Sequence, residues 1–132
     1  MKRDRVTPVQ ARTTKYVTAI HGYLAKTGHA TNAEILGYVR QTYPLVSATT
    51  IHRVTARMLE RGELQPAPSK DANAMRFDAN LTPHDHFMCM SCGMLKDADV
   101  QLRVRPILEE AMGAGCSISG RLVISGLCKR CA

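Results

Sequence analysis

The chain has 132 residues, and its 18 Lys and Arg residues exceed its 11 Asp and Glu residues, which gives a formal net charge of +7. This length fits one compact domain or two small ones, and 45% apolar residues exclude a chain that is disordered throughout. No apolar run approaches the roughly 18 residues of a membrane span, and no apolar stretch follows the charged N-terminus. We therefore expect a cytoplasmic protein with no membrane partner, and the positive charge favours an acidic partner, nucleic acid first.

The first half of the chain has the pattern of three helices. Apolar residues recur at helical spacing over 13–26 and predict the first helix. Thr31 followed by Glu34 has the spacing of a capping box and predicts the start of the second. Ser47 is a candidate N-cap for a third helix that runs to about Arg61.

The outward side of the third helix carries short polar residues near its N-terminus and arginines on two adjacent turns. Short side chains let a helix approach base edges in a major groove, and Arg reaches guanine or phosphate. The alternative is an ordinary solvated basic face. The residues on this side are Thr49, His52, Arg53, Ala56 and Arg57.

The chain after the third helix predicts two small domains of an α+β protein. Short strands over 63–68 and 74–78 around a polar turn complete the layout of a winged helix-turn-helix. By analogy with that fold, the layout strengthens the hypothesis that the protein binds DNA. A strand over 86–95, a helix with an apolar stripe over 104–112 and a strand over 117–125 predict a small α/β unit that could extend its sheet into a partner chain. We place the domains at 1–80 and 81–132.

Four of the five cysteines form two C-x-x-C pairs, and the pattern predicts a structural zinc site. Each pair places two sulfurs on one tight turn, and four thiolates match the tetrahedral geometry of Zn²⁺. Disulfides and a redox motif are the alternatives, although disulfides are disfavoured in a reducing cytosol. Cys116 has no partner in the sequence, and we expect it to be a small buried apolar residue. The predicted zinc ligands are Cys89, Cys92, Cys128 and Cys131.

A second group of possible ligands lies near the predicted domain boundary. His84 and His86 are spaced so that both point to one side of an extended segment. Two imidazoles on one side are a common start for a site that holds Zn²⁺, Fe²⁺ or Mn²⁺, and His29, Asp78 and Asp97 add further donors. An ion held by both halves would fix one half against the other. Metal binding could then shift the protein between two arrangements of its halves. Polar surface is the alternative.

Taken together, these features resemble the ferric uptake regulator family over roughly residues 12 to 132. The matches are three helices and a wing, Ser47 to Arg53 at the start of the recognition helix, His84-Asp85-His86 running into the first C-x-x-C pair, and the terminal C-x-x-C pair. The resemblance implies a homodimeric, metal-responsive repressor that binds a double-stranded DNA operator. Its N-terminal domain would be a winged helix and its C-terminal domain would dimerise.

The family's metal sites map onto residues of this chain. The resemblance implies structural Zn²⁺ at the four paired cysteines and regulatory Fe²⁺ or Mn²⁺ at an inter-domain site of His29, Asp78, His84, His86 and Asp97. This donor set is similar to that of the iron and manganese sensors, especially the peroxide-responsive branch, whereas the family's zinc sensors tend to have Cys where Asp78 stands. In the peroxide branch, bound Fe²⁺ directs oxidation onto two histidine ligands, which would be His29 and His84.

The resemblance also implies DNA contacts, with some departures. His52 stands where the family often has Tyr, and Arg12 with Lys15 is the nearest match to the usual Gln-Arg of the first helix. Only Asp85 remains of a second regulatory site. The implied contacts are Arg12, Lys15, Thr49, Thr50, His52, Arg53 and Arg57, with salt-sensitive attraction from Lys2, Arg3 and Arg5.

Two other functions compete with this hypothesis. The protein could be a constitutive winged-helix DNA-binding protein in which only the zinc matters. It could instead be a small metalloenzyme with His84, His86 and Asp78 as a hydrolytic site. Five candidate ligands leave little room for the open position of a catalytic metal, and no separate nucleophile or base stands out, so we expect no enzymatic activity.

Overall fold

The computed structural model describes residues 8–71 and 73–132, with side chains described from Thr14 onward. Its elements in chain order are α1 (Pro8–Thr27), β1 (His29–Thr31), α2 (Asn32–Val39), α3 (Ala48–Glu60), β2 (Gln65–Ala67), β3 (Arg76–Asp78), β4 (Asp85–Cys89), β5 (Leu95–Ala98), α4 (Arg105–Met112) and β6 (Val123–Gly126). None of the helices in this described part combines the length and apolar character of a membrane span.

The chain divides into two compact units. The first unit consists of the chain up to Ala67 together with Asn73–Leu81. The second unit consists of the short segment that begins at Pro68 and ends before Asn73, together with Thr82–Ala132. The predicted α+β class is confirmed, with a winged helix-turn-helix in the first unit and a small α/β fold in the second. The assignment of DNA binding to residues 1–80 and of dimerisation to 81–132 stays a prediction.

The first unit is a three-helix core closed by a three-stranded sheet. Thr31 forms the predicted capping box, since its hydroxyl accepts from the Glu34 amide and the Glu34 carboxylate accepts from the Thr31 amide. Ser47 caps α3 by accepting from the Thr50 amide at 3.1 Å. The apolar stripes of the three helices and the ring of Phe77 form one buried cluster, so burial of these stripes holds the recognition helix in place.

The strand β1 is absent from the sequence prediction. It pairs antiparallel with β3, so that β3 lies at the centre of the order β1-β3-β2. Three residues are too few to show an alternating pattern, and β1 exists because β3 supplies hydrogen-bond partners from a distant part of the chain. This pairing places His29 directly opposite Asp78.

The second unit differs from its prediction at three places. The strand expected over 86–95 is two antiparallel strands, β4 and β5, because the chain turns after Cys89 and Gly93 takes a left-handed φ of 79°. The strand expected over 117–125 is confined to β6, which pairs parallel with β4. The helix expected over 104–112 is present as α4, but its apolar stripe is not buried within the described chain.

Cys116 is also placed differently from the expectation. It is an exposed free thiol rather than a buried apolar residue. It lies after the end of α4, where Gly113 and Gly115 both take left-handed backbone conformations. The chain there forms turns on the surface instead of entering a strand, so nothing covers the thiol in the described residues.

Candidate metal centres and nucleic-acid surface

The four paired cysteines come together in the second unit. Their sulfur atoms all lie within 4.8 Å of one another, and the sulfurs of Cys92 and Cys128 are 3.8 Å apart. Sulfurs at about 2.3 Å from one tetrahedral ion are about 3.8 Å apart, whereas a disulfide needs about 2.05 Å. All five cysteines, each of which lies in the described part, are free thiols. The geometry therefore suits Zn²⁺ and excludes the disulfide alternative.

The parallel pairing of β4 with β6 builds this site. Cys89 ends β4 opposite Gly126, so the chain leaving β6 places Cys128 beside the first C-x-x-C turn. The Met90 amide donates to the Gly126 carbonyl at 2.8 Å and joins the turn to β6. Cys128 lies 36 positions after Cys92 along the chain. The register of β4 with β6 therefore brings the second pair of cysteines close enough to the first for all four to bind one ion.

Two thiols of the cluster, those of Cys89 and Cys131, have shifted pKa values. Hydrogen bonds from the backbone of Cys128 and then of Cys92 stabilise the thiolate of Cys89 and lower its pKa from 9.0 to about 6. The Ser91 side chain acts in the lowering direction on Cys131, but the neighbouring thiols of Cys128, Cys89 and Cys92 outweigh it and raise that pKa to about 11. One sulfur is therefore ready to bind a cation at neutral pH without losing a proton.

In the first unit, the structure brings His29 and Asp78 together. Nε2 of His29 lies 3.4 Å from Oδ2 of Asp78, and both side chains are almost fully buried. The other carboxylate oxygen of Asp78 accepts a hydrogen bond from the Asn80 amide at 2.7 Å. This bond orients the carboxylate toward the imidazole, as hydrogen bonds to metal-binding side chains commonly do.

In the second unit, the structure brings His84, His86 and Asp97 together. The two imidazole rings have centroids 4.4 Å apart, and Nε2 of each lies 3.4 Å from Oδ1 of Asp97. Asp97 is opposite His86 in the β4–β5 ladder. A separation of 3.4 Å exceeds the roughly 2.7–2.9 Å of a charge-assisted hydrogen bond and suits donors that share one ion.

The predicted DNA-contacting face of α3 is exposed. Thr49, His52, Arg53 and Arg57 are solvent-accessible, while Thr50 is half-buried and its hydroxyl lies 3.0 Å from the Ser47 hydroxyl at the helix cap. A basic face that is exposed among the described residues can approach a phosphate backbone.

The other predicted DNA contacts lie on or before α1. The ammonium of Lys15 is 4.5 Å from the ring centroid of Tyr43, so a cation–π interaction holds it. Arg12 is in α1, but its side chain lies outside the described residues, as do Lys2, Arg3 and Arg5.

The sequence model of the Ferric uptake regulator family matches residues 9–115. The chain belongs to the ferric uptake regulator family. It is 33% identical to the transcriptional regulator FurA of Mycobacterium tuberculosis (strain ATCC 25618 / H37Rv) over 109 residues, which cover 79% of this chain and 71% of FurA. It is therefore a Fur-family metal-responsive transcriptional regulator.

Two further comparisons extend over more of this Fur-family chain. The peroxide-responsive repressor PerR of Staphylococcus aureus (strain NCTC 8325 / PS 47) is 27% identical over 128 residues, which cover 96% of this chain and 82% of PerR. The crystal structure of the Campylobacter jejuni peroxide stress regulator has a TM-score of 0.70 at 19% identity and covers 92% of this chain and 93% of that chain. The second comparison shows that the fold is shared.

Sequence reasoning missed one charged pair in this Fur-family chain. Arg105 donates from Nη2 to Oδ1 of Asp85 at 2.6 Å, and both side chains are largely buried. The sequence does contain a hint, because an Asp between two histidines of a strand must point to the opposite side and needs a partner there. Arg105 directly precedes Pro106 at the start of α4, and a basic residue there is the only sign of that partner.

Proposed function

We propose that this protein is a homodimeric repressor whose operator binding depends on Fe²⁺ or Mn²⁺ held in each subunit by His29, Asp78, His84, His86 and Asp97. The observation that carries the proposal is the strand register within each unit. It sets His29 against Asp78 in the first unit and His86 against Asp97 in the second. The family resemblance supports joining the two donor sets around one ion, which would fix the DNA-binding unit in a competent orientation.

The chemistry of the donors supports Fe²⁺ or Mn²⁺. Carboxylate oxygens and imidazole nitrogens suit these ions, and the set contains no thiolate, the ligand that favours Zn²⁺ or Cu⁺. The two carboxylates also supply negative charge, which balances the charge of a divalent cation in a largely buried place. When bound, the ion would supply coordination bonds to these side chains.

The exposed face of α3 supports DNA as the partner. In a winged-helix dimer, two recognition helices meet half-sites about one helical turn, roughly 34 Å, apart or at a related spacing. Arg53 and Arg57 would contact bases or phosphates, with Thr49, Thr50 and His52 closer to the base edges. Lys15 and Arg12 would add phosphate attraction in the cytoplasm, where the operator lies.

The second unit supports the homodimer. Several of its exposed apolar side chains lie on α4 and around β6, with Ile107 65% and Met112 66% exposed. Apolar side chains gathered on one unit mark an interaction site more often than a free surface. A two-fold dimer would bury this face against the same face of a second copy. Further members of the face are Val123, Ile124 and Leu127.

The resemblance to the peroxide-responsive branch supports a further property. We infer that His29 and His84 would be the residues oxidised by peroxide when they hold Fe²⁺, which would supply the redox chemistry, and that the loss of a metal ligand would release the operator. The test compares iron-loaded and manganese-loaded protein after peroxide, by mass spectrometry of the peptides that contain these histidines. An added oxygen atom at His29 or His84 in the iron form alone supports peroxide sensing, and unmodified histidines in both forms contradict it.

The main experiment removes both strand histidines. His84→Ala with His86→Ala should abolish metal-dependent operator binding in an electrophoretic or fluorescence-anisotropy assay and leave the zinc content unchanged. His21→Ala, an exposed histidine of α1, is the matched control and should respond to metal as the parent does. An unchanged metal response in the double variant would reject the proposal. Operator binding that ignores Mn²⁺ in the parent protein would favour the constitutive alternative.

A further inference from the structure

Asp85 lies between two proposed ligands but faces away from them. It is the first residue of β4, with His84 before it and His86 after it, and side chains alternate along a strand. While the two histidines face Asp97, the Asp85 carboxylate is buried on the opposite side, with 1% exposure. A carboxylate buried in this way requires compensation of its charge.

Arg105 supplies that compensation from the start of α4. Its Nη2 donates to Oδ1 of Asp85 at 2.6 Å, and its Nη1 donates to the Ile118 carbonyl at 3.2 Å. The Leu122 amide donates to the same Asp85 oxygen at 2.9 Å. One guanidinium therefore ties together β4, α4 and the segment that leads into β6, and charge-assisted bonds of this kind are among the strongest in proteins.

Backbone hydrogen bonds extend this connection to a proposed ligand. The His86 amide donates to the Leu122 carbonyl at 3.0 Å, while the Leu122 amide donates to the Asp85 carboxylate. Leu122 is thus bound on both sides by consecutive residues of β4. Because side chains alternate between the two faces of a strand, holding Asp85 in place also sets the direction in which the adjacent imidazoles point.

We propose that Arg105 is a positioning residue for the regulatory metal. By binding Asp85 it fixes β4, so that His84 and His86 face Asp97 before any ion arrives, and it keeps the Asp85 carboxylate out of metal coordination. Preorganised donors bind an ion more tightly because less conformational freedom is lost on binding. The inference rests on the proposed function, since it concerns the same histidines.

The experiment measures Mn²⁺ binding by electron paramagnetic resonance in zinc-loaded full-length protein. Arg105→Gln should lower Mn²⁺ affinity by about 10- to 100-fold, the usual effect of losing an outer partner of a metal ligand. Arg105→Lys keeps the charge but not the fork of two donors, and should lie between Arg105→Gln and the parent. Arg103→Gln, at an exposed position two residues earlier, is the matched control and should bind as the parent does.

A second measurement separates positioning from general stability. In zinc-loaded protein without Mn²⁺, the ring resonances of His84 and His86 should broaden or move in Arg105→Gln, while zinc content stays at the parent's value. Zinc-loaded Arg105→Gln with the parent's Mn²⁺ affinity would overturn the inference. If that variant fails to fold, the parent's affinity in Arg105→Lys would overturn it.

The proposed function is tested separately in the same assay. His84→Ala with His86→Ala should lose Mn²⁺ binding outright. If this variant still binds Mn²⁺ with the parent's affinity, the proposed function fails whatever Arg105 does. If it loses binding and Arg105→Gln does not, only the positioning role fails.

Discussion

His29 and Asp78 face each other across the β1–β3 ladder, and Nε2 of the imidazole is 3.4 Å from Oδ2 of the carboxylate. The two residues are separated by most of the first unit in sequence, yet one three-residue pairing sets their distance. The two proposed ligands of the first unit therefore lie on paired strands of its sheet and not on a flexible loop. Ligands on rigid elements are held more accurately.

Asp78→Asn should weaken Mn²⁺ binding at least about tenfold, because the change removes a charged oxygen ligand while keeping the shape of the side chain. The amide oxygen can still accept from the Asn80 amide, so we expect little change in the melting temperature. Electron paramagnetic resonance of Mn²⁺ measures the affinity, and Asp99→Asn, an exposed carboxylate of the second unit, is the control. Equal affinities of Asp78→Asn and the parent would remove Asp78 from the ligand set.

Cys128→Ser should lose zinc and destabilise the second unit. Zinc binding stabilises the fold of small metal-dependent domains, and this unit has few buried apolar side chains to replace that contribution, so its melting temperature should fall although the zinc-free chain stays folded at low temperature. Zinc content and thermal unfolding followed by circular dichroism measure the effect. Cys116→Ser alters an exposed thiol outside the cluster and should match the parent in both. Full zinc content in Cys128→Ser would contradict the four-cysteine site.

Zinc-free protein should contain one thiolate that ionises far below the ordinary range. The pKa of Cys89 is lowered to about 6 in the folded chain, from 9.0, by hydrogen bonds from the backbone of Cys128 and Cys92. Because the folded-state pKa is the lower one, the resulting stabilisation is complete above pH 9 and is lost as the pH falls through about 6.

Ultraviolet absorbance of thiolates during a pH titration measures this ionisation. Cys89→Ser should lack the step near pH 6. Cys131→Ser should keep the step, because the Cys131 thiol has a pKa raised to about 11 and stays protonated in that range. A zinc-free parent whose thiols all ionise near pH 9 would show that the thiolate is not stabilised by the fold.

Thr55→Val should destabilise the first unit by about 0.5–1.5 kcal/mol, because the buried hydroxyl and its hydrogen bond to the Asn32 side chain are lost. Thr55 is 1% exposed, and its hydroxyl lies 2.8 Å from Oδ1 of Asn32 and 3.1 Å from the Ile51 carbonyl. Urea unfolding measures the change, with Thr49→Val on the exposed side of α3 as the control. A smaller effect at Thr55 than at Thr49 would contradict the role of this bond.

Arg53→Ala should weaken operator binding by about 1–3 kcal/mol if the side chain reads a base, and should mainly reduce the salt dependence if it contacts phosphate. Fluorescence anisotropy at several salt concentrations, with a specific and a scrambled duplex, separates the two. Arg130→Ala, an exposed position in the C-terminal cysteine turn, should leave both affinities unchanged. Unaltered binding by Arg53→Ala would remove α3 from the proposed interface at that position.

The sequence correctly predicted the features that depend on residues close together along the chain. The Thr31–Glu34 capping box and the Ser47 cap depend on residues a few positions apart, and both are confirmed. The two C-x-x-C turns are also local features, because each turn brings its own two sulfurs to one side. Chemical identity also limits the metal to one that suits the donors: four thiolates fit Zn²⁺, and imidazoles with carboxylates fit Fe²⁺ or Mn²⁺.

Only the tertiary structure decided which distant residues meet. The sequence does not show that β1 pairs with β3 or that the strand over 86–95 is divided into β4 and β5, and it only hints that Arg105 binds Asp85. Short strands have too few residues for a periodic pattern, so their existence depends on hydrogen-bond partners from far along the chain. The sequence therefore determined which ligand chemistry this protein carries, and strand register decided which ligands lie beside one another.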